Sequence, residues 1–246
     1  MFRSVRVQRL QAIAFVLGSA AGGTCFSGSE ARAAETGELD LVVFGSMDGG
    51  MPSFGSSGAK VALQEGGPAL LASIGAGRQS ESAAPAAGAR SAVQRTVATA
   101  AVVFGYQWFR EWGALGAFVG PEGSLTRLTD GAASASQTVE TGLRIQGEAW
   151  VRPHESTLVQ ASVIAGTTRR SVWTRLAGGL RVEEGYLGPE IGLYADATGY
   201  RKWTFGLHAT DYVVAGLHLR VTLGGQIRPE NRHIAPYVAL ATWRSW

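Results

Sequence analysis

From Val213 to Ile227 the chain alternates. Val213, Ala215, Leu217, Leu219, Val221, Leu223 and Ile227 form an apolar set broken only by Gly225, while Val214, Gly216, His218, Arg220, Thr222, Gly224 and Gln226 form a small, polar or charged one. Successive side chains of a strand point to opposite faces, so this pattern predicts a strand that is greasy on one side and polar on the other. At ~3.4 Å per residue it exceeds the ~25 Å apolar band of an outer membrane even when tilted. Strands of soluble domains usually run about five or six residues.

The same alternation recurs along the chain. It predicts strands over Leu39–Phe44, Gly58–Gln64, Ala69–Gly77, Arg95–Phe109, Ala114–Leu125, Thr138–Val151, Thr157–Gly166, Ser171–Val182, Tyr186–Asp196, Arg201–Ala209 and Ile234–Trp243 as well. Between Val97 and Phe104 both faces are apolar, which leaves the register there open. Gln79–Gln94 and Thr126–Ser136 carry no periodicity and read as loops. Short turns at Glu65–Gly67, Glu111–Gly113, Arg152–Glu155, Glu183–Gly185 and Asp211 alternate with connections that include all the long ones. The expected fold is therefore all-β: a transmembrane antiparallel up-and-down β-barrel of about twelve strands, with both termini in the periplasm. Gly120-Pro121-Glu122 and Gly188-Pro189-Glu190 form an internal echo, and a proline that cannot donate predicts a bulge or irregular pair at each.

Aromatic residues gather near the predicted strand ends. Trp108, Phe109, Trp112, Trp150, Tyr186, Tyr212 and Trp246 fall at the periplasmic ends, and Phe54, Trp173, Tyr194, Tyr200 and Trp203 at the outer ends, as interfacial girdles would require. The terminal Trp246 resembles the recognition signal of outer-membrane barrels, although Arg244 departs from its apolar alternation.

The first residues follow another logic. Arg3, Arg6 and Arg9 precede the apolar run Ala12–Leu17, and Ala31-Arg32-Ala33 offers a cleavage site, so residues 1–33 read as a signal peptide and 34–246 as the barrel domain. Gly22-Gly23-Thr24 lacks the aliphatic residue that a lipoprotein signal needs before Cys25, and cleavage removes that lone cysteine. It also removes four arginines and Glu30 from totals of 22 basic and 19 acidic residues, which balances the two signs. A near-neutral chain argues against nucleic acid as a partner. Beyond Ala34 no apolar run is long enough for a membrane helix.

No Gly-x-Ser-x-Gly, His-Glu-x-x-His or phosphate-loop motif is present, so no catalytic residue, metal or cofactor is expected. Parity sends Glu122, Glu140, Arg144, Glu148, Arg175, Arg181, Glu190, Lys202, His208, His218 and Arg220 into the lumen. His208 and His218 lie on neighbouring inward faces, where a polar pair is the simpler account than a shared metal. Glu122 and Glu190 either face a pathway or neutralise the inward bases. Trp150, Trp173 and Tyr194, with Tyr237 and Trp243, could stack on sugar rings or simply fill a small barrel. Charges of both signs inside predict a narrow lumen with small or intermittent conductance.

Leu41-Val42-Val43-Phe44-Gly45, Gly120-Pro121-Glu122-Gly123, Gly188-Pro189-Glu190-x-Gly192-Leu193 and Ala235-Pro236-Tyr237 resemble segments of BcsS-type cellulose-biosynthesis proteins of α-proteobacteria. The resemblance implies a non-enzymatic component of the cell outer membrane, with membrane lipid as its surroundings and cellulose or another glucan and cellulose-synthase components as partners. It brings no site residues with it. The alternative is a general small-solute porin or a structural barrel. A lipid-handling enzyme on the same scaffold would need a nucleophile beside a base, which the sequence does not offer.

Overall fold

The computed structural model describes residues 40–50, 53–63, 66–82, 92–130, 135–228 and 233–246. The signal-peptide reading of residues 1–33, with Cys25, lies outside them. Twelve strands follow in order: β1 (Asp40–Gly49), β2 (Ser53–Ala62), β3 (Gly67–Ser82), β4 (Ala92–Arg110), β5 (Gly113–Asp130), β6 (Ala135–His154), β7 (Thr157–Gly166), β8 (Ser171–Val182), β9 (Gly185–Ala195), β10 (Arg201–Val214), β11 (Leu217–Ile227) and β12 (Ile234–Ser245). Each pairs antiparallel with the next, and β12 closes on β1 from Val42↔Ser245 to Gly49↔Val238. This is the expected up-and-down barrel.

Alternation explains why these segments form strands and which way they face. Leu70, Ile74, Phe104, Val119, Leu143, Ile145, Leu176, Leu187, Ile191, Leu207, Leu223 and Val238 are exposed on the outside, while their sequence neighbours face the interior. A ring of exposed large hydrophobics around the whole circumference would be unstable against water and suits hydrocarbon. The both-faces-apolar stretch of β4 resolves with Val97, Ala101 and Val103 inward and Val102 and Phe104 outward.

Several boundaries differ from the sequence reading. Val213–Ile227 is not one strand. Val213 and Val214 finish β10, and a two-residue turn at Ala215 and Gly216, both at positive φ, starts β11. Two positive φ values define the type I′ turn that matches strand twist. Asp211, expected to be the turn, is instead a bulge at φ 69° where the register shifts between Thr210 and Tyr212. One extra residue flips the phase, so Val213 pairs with inward His218 rather than sharing the face of Leu217. The two long loops are also shorter than expected. Gln79–Ser82 still pairs with Ala92–Arg95, and Thr126–Thr129 with Ala135–Thr138. Consequently β3 to β6 stand above the other strands at one end of the barrel. Pairing lapses opposite Pro121 on the β4 side and Pro189 on the β8 side without any net shift, and continues on their other edges.

The end carrying the start of β1, the end of β12 and the tight turns Glu111–Trp112, Glu155–Ser156, Glu183–Glu184 and Ala215–Gly216 is called the turn end; the opposite one is the loop end. Girdle aromatics divide between inside and outside. Trp108 and Trp112 are exposed near the turn end, where Tyr106 and Trp108 pack at 4.9 Å, and Trp203 is exposed near the loop end. Trp150 and Tyr186 are buried inside and belong to no girdle.

Candidate functional site in the barrel lumen

The lumen has three levels. At the turn end it is filled. Val42, Ala62, Ala69, Leu71, Val103, Phe118, Trp150, Leu158, Tyr186 and Trp243 form one buried apolar cluster, continuous with Phe44 above it. Trp150 meets Trp243 edge-on at 6.0 Å, and the His218 ring stacks on Trp243 with centroids 5.4 Å apart. The bulge turns Asp211 inward, where it accepts from His218 Nδ1 at 2.9 Å and Arg152 at 3.1 Å. Tryptophan faces therefore pack one another and their neighbours, and the way through is occupied by side chains.

Above this plug lies a belt of ion pairs. Lys60 Nζ donates to Glu148 at 2.7 Å, Arg144 Nε to Glu122 at 3.1 Å, and Arg220 to Glu190 and Gln160. Thr222 adds a hydrogen bond to Glu190 at 3.1 Å, and Lys202 sits 3.6 Å from Asp48, which also accepts from the Tyr237 hydroxyl at 3.1 Å. Buried charge is tolerated only with a partner. Glu122 and Glu190 each pair with an inward base, and Glu122 also lines the cavity above. A void of about 20 Å³ touches Arg175, Glu190, Arg220 and Thr222, room for one water.

The third level is a cavity of about 230 Å³ reaching the loop-end rim. Phe44 and Leu71 form its floor, and Asp48, Glu122, Arg144, Glu148 and Lys202 its polar wall. Phe54, Trp173, Tyr194 and Tyr200 supply aromatic surface. Its mouth is held rigidly. Asp196 accepts from Arg169 at 2.8 Å, from the Tyr194 hydroxyl at 3.1 Å and from the Thr198 amide at 3.0 Å. A backbone bond from Ala197 N to Arg169 O at 3.2 Å joins the β9–β10 connection to the β7–β8 connection, and one from Asp196 N to Tyr200 O at 3.1 Å closes the first on itself.

The sequence-predicted residues separate accordingly. Glu122, Arg144, Glu148, Arg175, Glu190, Lys202 and Arg220 line the interior. Glu140 has inward register opposite Ser124 but is exposed at the loop end, and Arg181 is exposed at the turn end with Nε directed to the Glu183 carbonyl, so neither faces the packed lumen. His208 and His218 are not brought together as a pair. His208 Nε2 donates to the Gly178 carbonyl at 3.1 Å, opposite Pro189, which has no N–H to offer there, and His218 serves Asp211. Trp173 and Tyr194 reach the cavity; Trp150, 2% exposed in the plug, has no face left for a sugar ring.

Lys60 and Asp48 were missed. The stretch Gly55-Ser56-Ser57-Gly58-Ala59 is small on both faces and announces no phase, so nothing in β2 marks Lys60 as inward. The only available signal was an acidic residue elsewhere, Glu148, wanting a base.

A closed twelve-stranded barrel, apolar outside, polar inside and stoppered at one end, is a barrel of outer-membrane type. Its family is also defined. The family model for cellulose biosynthesis protein BcsS matches residues 42–245, and the chain belongs to that family. No curated protein matches the chain. Solved structures similar to it include CdiB from Acinetobacter baumannii (8% identity, TM-score 0.38), of which the chain spans 61% while 87% of the chain is covered. The β domain of the Bordetella autotransporter BrkA (11%, TM-score 0.42) is covered in full by 86% of this chain. OmpT of Vibrio cholerae (8%, TM-score 0.27) is covered in full by 89%. At these values the likenesses carry no functional argument.

Proposed function

We propose that this protein is a non-catalytic accessory of cellulose biosynthesis that resides in the outer membrane, delivered there by a signal peptide in residues 1–33. The observation that carries the reading is membership of the cellulose-biosynthesis family by a chain whose barrel exposes large hydrophobics on its outer face. Only a closed barrel satisfies every backbone donor when strands cross hydrocarbon. A non-catalytic role is supported by the lumen itself. Asp48, Glu122, Glu148 and Glu190 are each committed to a base, which leaves no acid–base pair poised for chemistry among them. The plug of Trp150, Trp243 and Leu158 speaks against a general porin. The mature protein is expected to fractionate with the outer membrane, to migrate faster unheated than boiled on a detergent gel, and to be needed for cellulose at the cell surface. Recovery in the soluble periplasm, or normal surface cellulose in a deletion strain, would overturn the reading.

A further inference from the structure

We infer that the cavity at the loop end is a socket for the end of a β-linked glucan chain; this rests on the accessory role just given and names the ligand of that lumen. The chemistry of the walls is that of a carbohydrate site. A β-linked glucose ring carries its substituents equatorially, so it offers flat C–H faces and a rim of hydroxyls. Aromatic rings cover such faces, and carboxylates and guanidinium groups bind such rims. Trp173, Tyr194 and Tyr200 line the cavity beside Lys202, the cross-strand partner of Tyr194, and Asp48, while Arg144 lines it from β6.

Rigidity supports the same reading. The Tyr194 ring is fixed at its hydroxyl by Asp196, which is itself tied to Arg169 and Thr198, and Tyr200 lies 5.9 Å from it. A platform built before the ligand arrives loses little entropy on binding. These residues come from β9 and from two connections that hydrogen-bond each other, an arrangement that barrel closure does not demand.

The dimensions decide between a passage and a socket. Along β3 the lining runs from Leu71 to Gln79, about 26 Å of strand at ~3.3 Å per residue and roughly 20 Å along the axis of a barrel whose strands tilt by ~40°, so the cavity is deep. Its volume of about 230 Å³ lies below the ~300–1,000 Å³ of sites that engulf whole drug-sized ligands. The floor at Phe44 and Leu71 joins the buried plug, so a chain entering from the rim stops there. Such a shape admits a straight chain end-on. A curved α-linked glucan, or a ring without an end, does not fit it.

The test uses the full barrel refolded in detergent and titrated calorimetrically with cellohexaose. Saturable binding is expected, weakened roughly tenfold by Trp173→Ala or Tyr194→Ala, largely retained by Trp173→Phe, and unchanged by Trp203→Phe on the outer surface. Maltohexaose and a cyclic β-glucan should not compete. Gel mobility of unheated samples checks that each variant is folded. No binding to the folded barrel, equal competition by maltohexaose, or full affinity in folded Trp173→Ala overturns the socket. Complementation separates this from the accessory role. If deletion abolishes surface cellulose and Trp173→Ala restores it fully, the socket fails and the accessory role stands. If cellohexaose binds with the expected dependence on Trp173 while deletion leaves surface cellulose intact, the socket stands and the accessory role fails.

Discussion

Removing the Glu190 carboxylate should be among the most damaging single changes inside the barrel. Glu190 accepts from Arg220 and from Thr222, and Arg175 lines the same small void. Hydrogen bonds to a charged group contribute about 1.5–3 kcal/mol each, so two lost bonds give about 3–6 kcal/mol. Breaking a buried pair and stranding one charge costs about 3–5 kcal/mol. Room for a single water beside the guanidinium draws the expectation for Glu190→Ala toward ~3 kcal/mol. Replacing both partners, as Glu190→Leu with Arg220→Met, should cost less than the single change, because Arg220 is no longer stranded and only Arg175 loses the neighbouring carboxylate. Urea unfolding of the barrel from lipid vesicles, followed by tryptophan fluorescence, measures both. A double variant as damaged as Glu190→Ala would show that stranded charge is not the cause, and a single variant within about 0.5 kcal/mol of wild type would show the belt to be well hydrated.

Three further outcomes follow from the same geometry. Ile145→Arg, on the outer face at 61% exposure, should cost about 2–4 kcal/mol in lipid, while Gln146→Arg, lining the cavity with Glu122 and Glu148, should be tolerated; equal damage would refute the facing. Gly188→Ala should cost about 1–3 kcal/mol or prevent folding, since its Cβ would sit 2.0 Å from the Gly178 carbonyl, whereas Gly178→Ala, with its nearest atom 3.9 Å away, should be close to neutral in urea unfolding. In planar bilayers the native barrel should show no steady conductance, and Trp150→Ala with Trp243→Ala should introduce one; a stable current in the native protein would refute the plug.

Strand number, handedness of alternation and most facing were legible because a dyad pattern is local and each strand states it independently. Depth was not. Parity says that Trp150 and Trp173 both point inward, but the first is sealed by Trp243 and the second lines the open cavity, and that difference is decided by strands β12 and β9. The plug at the turn end was not legible from the mixed inward charges for the same reason. Partners across the lumen were equally hidden, since Lys60 and Glu148 lie 88 positions apart. Phase errors have a different origin. A bulge adds one residue, and in Thr210-Asp211-Tyr212 no apolar marker records the slip. Val213 and Val214 then continue the alternation straight across a two-residue turn, so the strongest pattern in the chain concealed a hairpin. The free length of β5 and β6 was missed because threonine, serine and glutamine there suit a strand in water as well as a loop.

The seam between β1 and β12 has a kinetic meaning. Val42 meets Ser245 across almost the whole chain, so eleven hairpin contacts can form early and locally while this one waits for the last strand. Until it forms, two strands present unpaired backbone to hydrocarbon, the arrangement a bilayer tolerates least. Assembly therefore ends in a single step at one line of contact. Losing Ile234–Trp246 would not trim the edge of a sheet; it would leave the sheet with two edges and no membrane-compatible form.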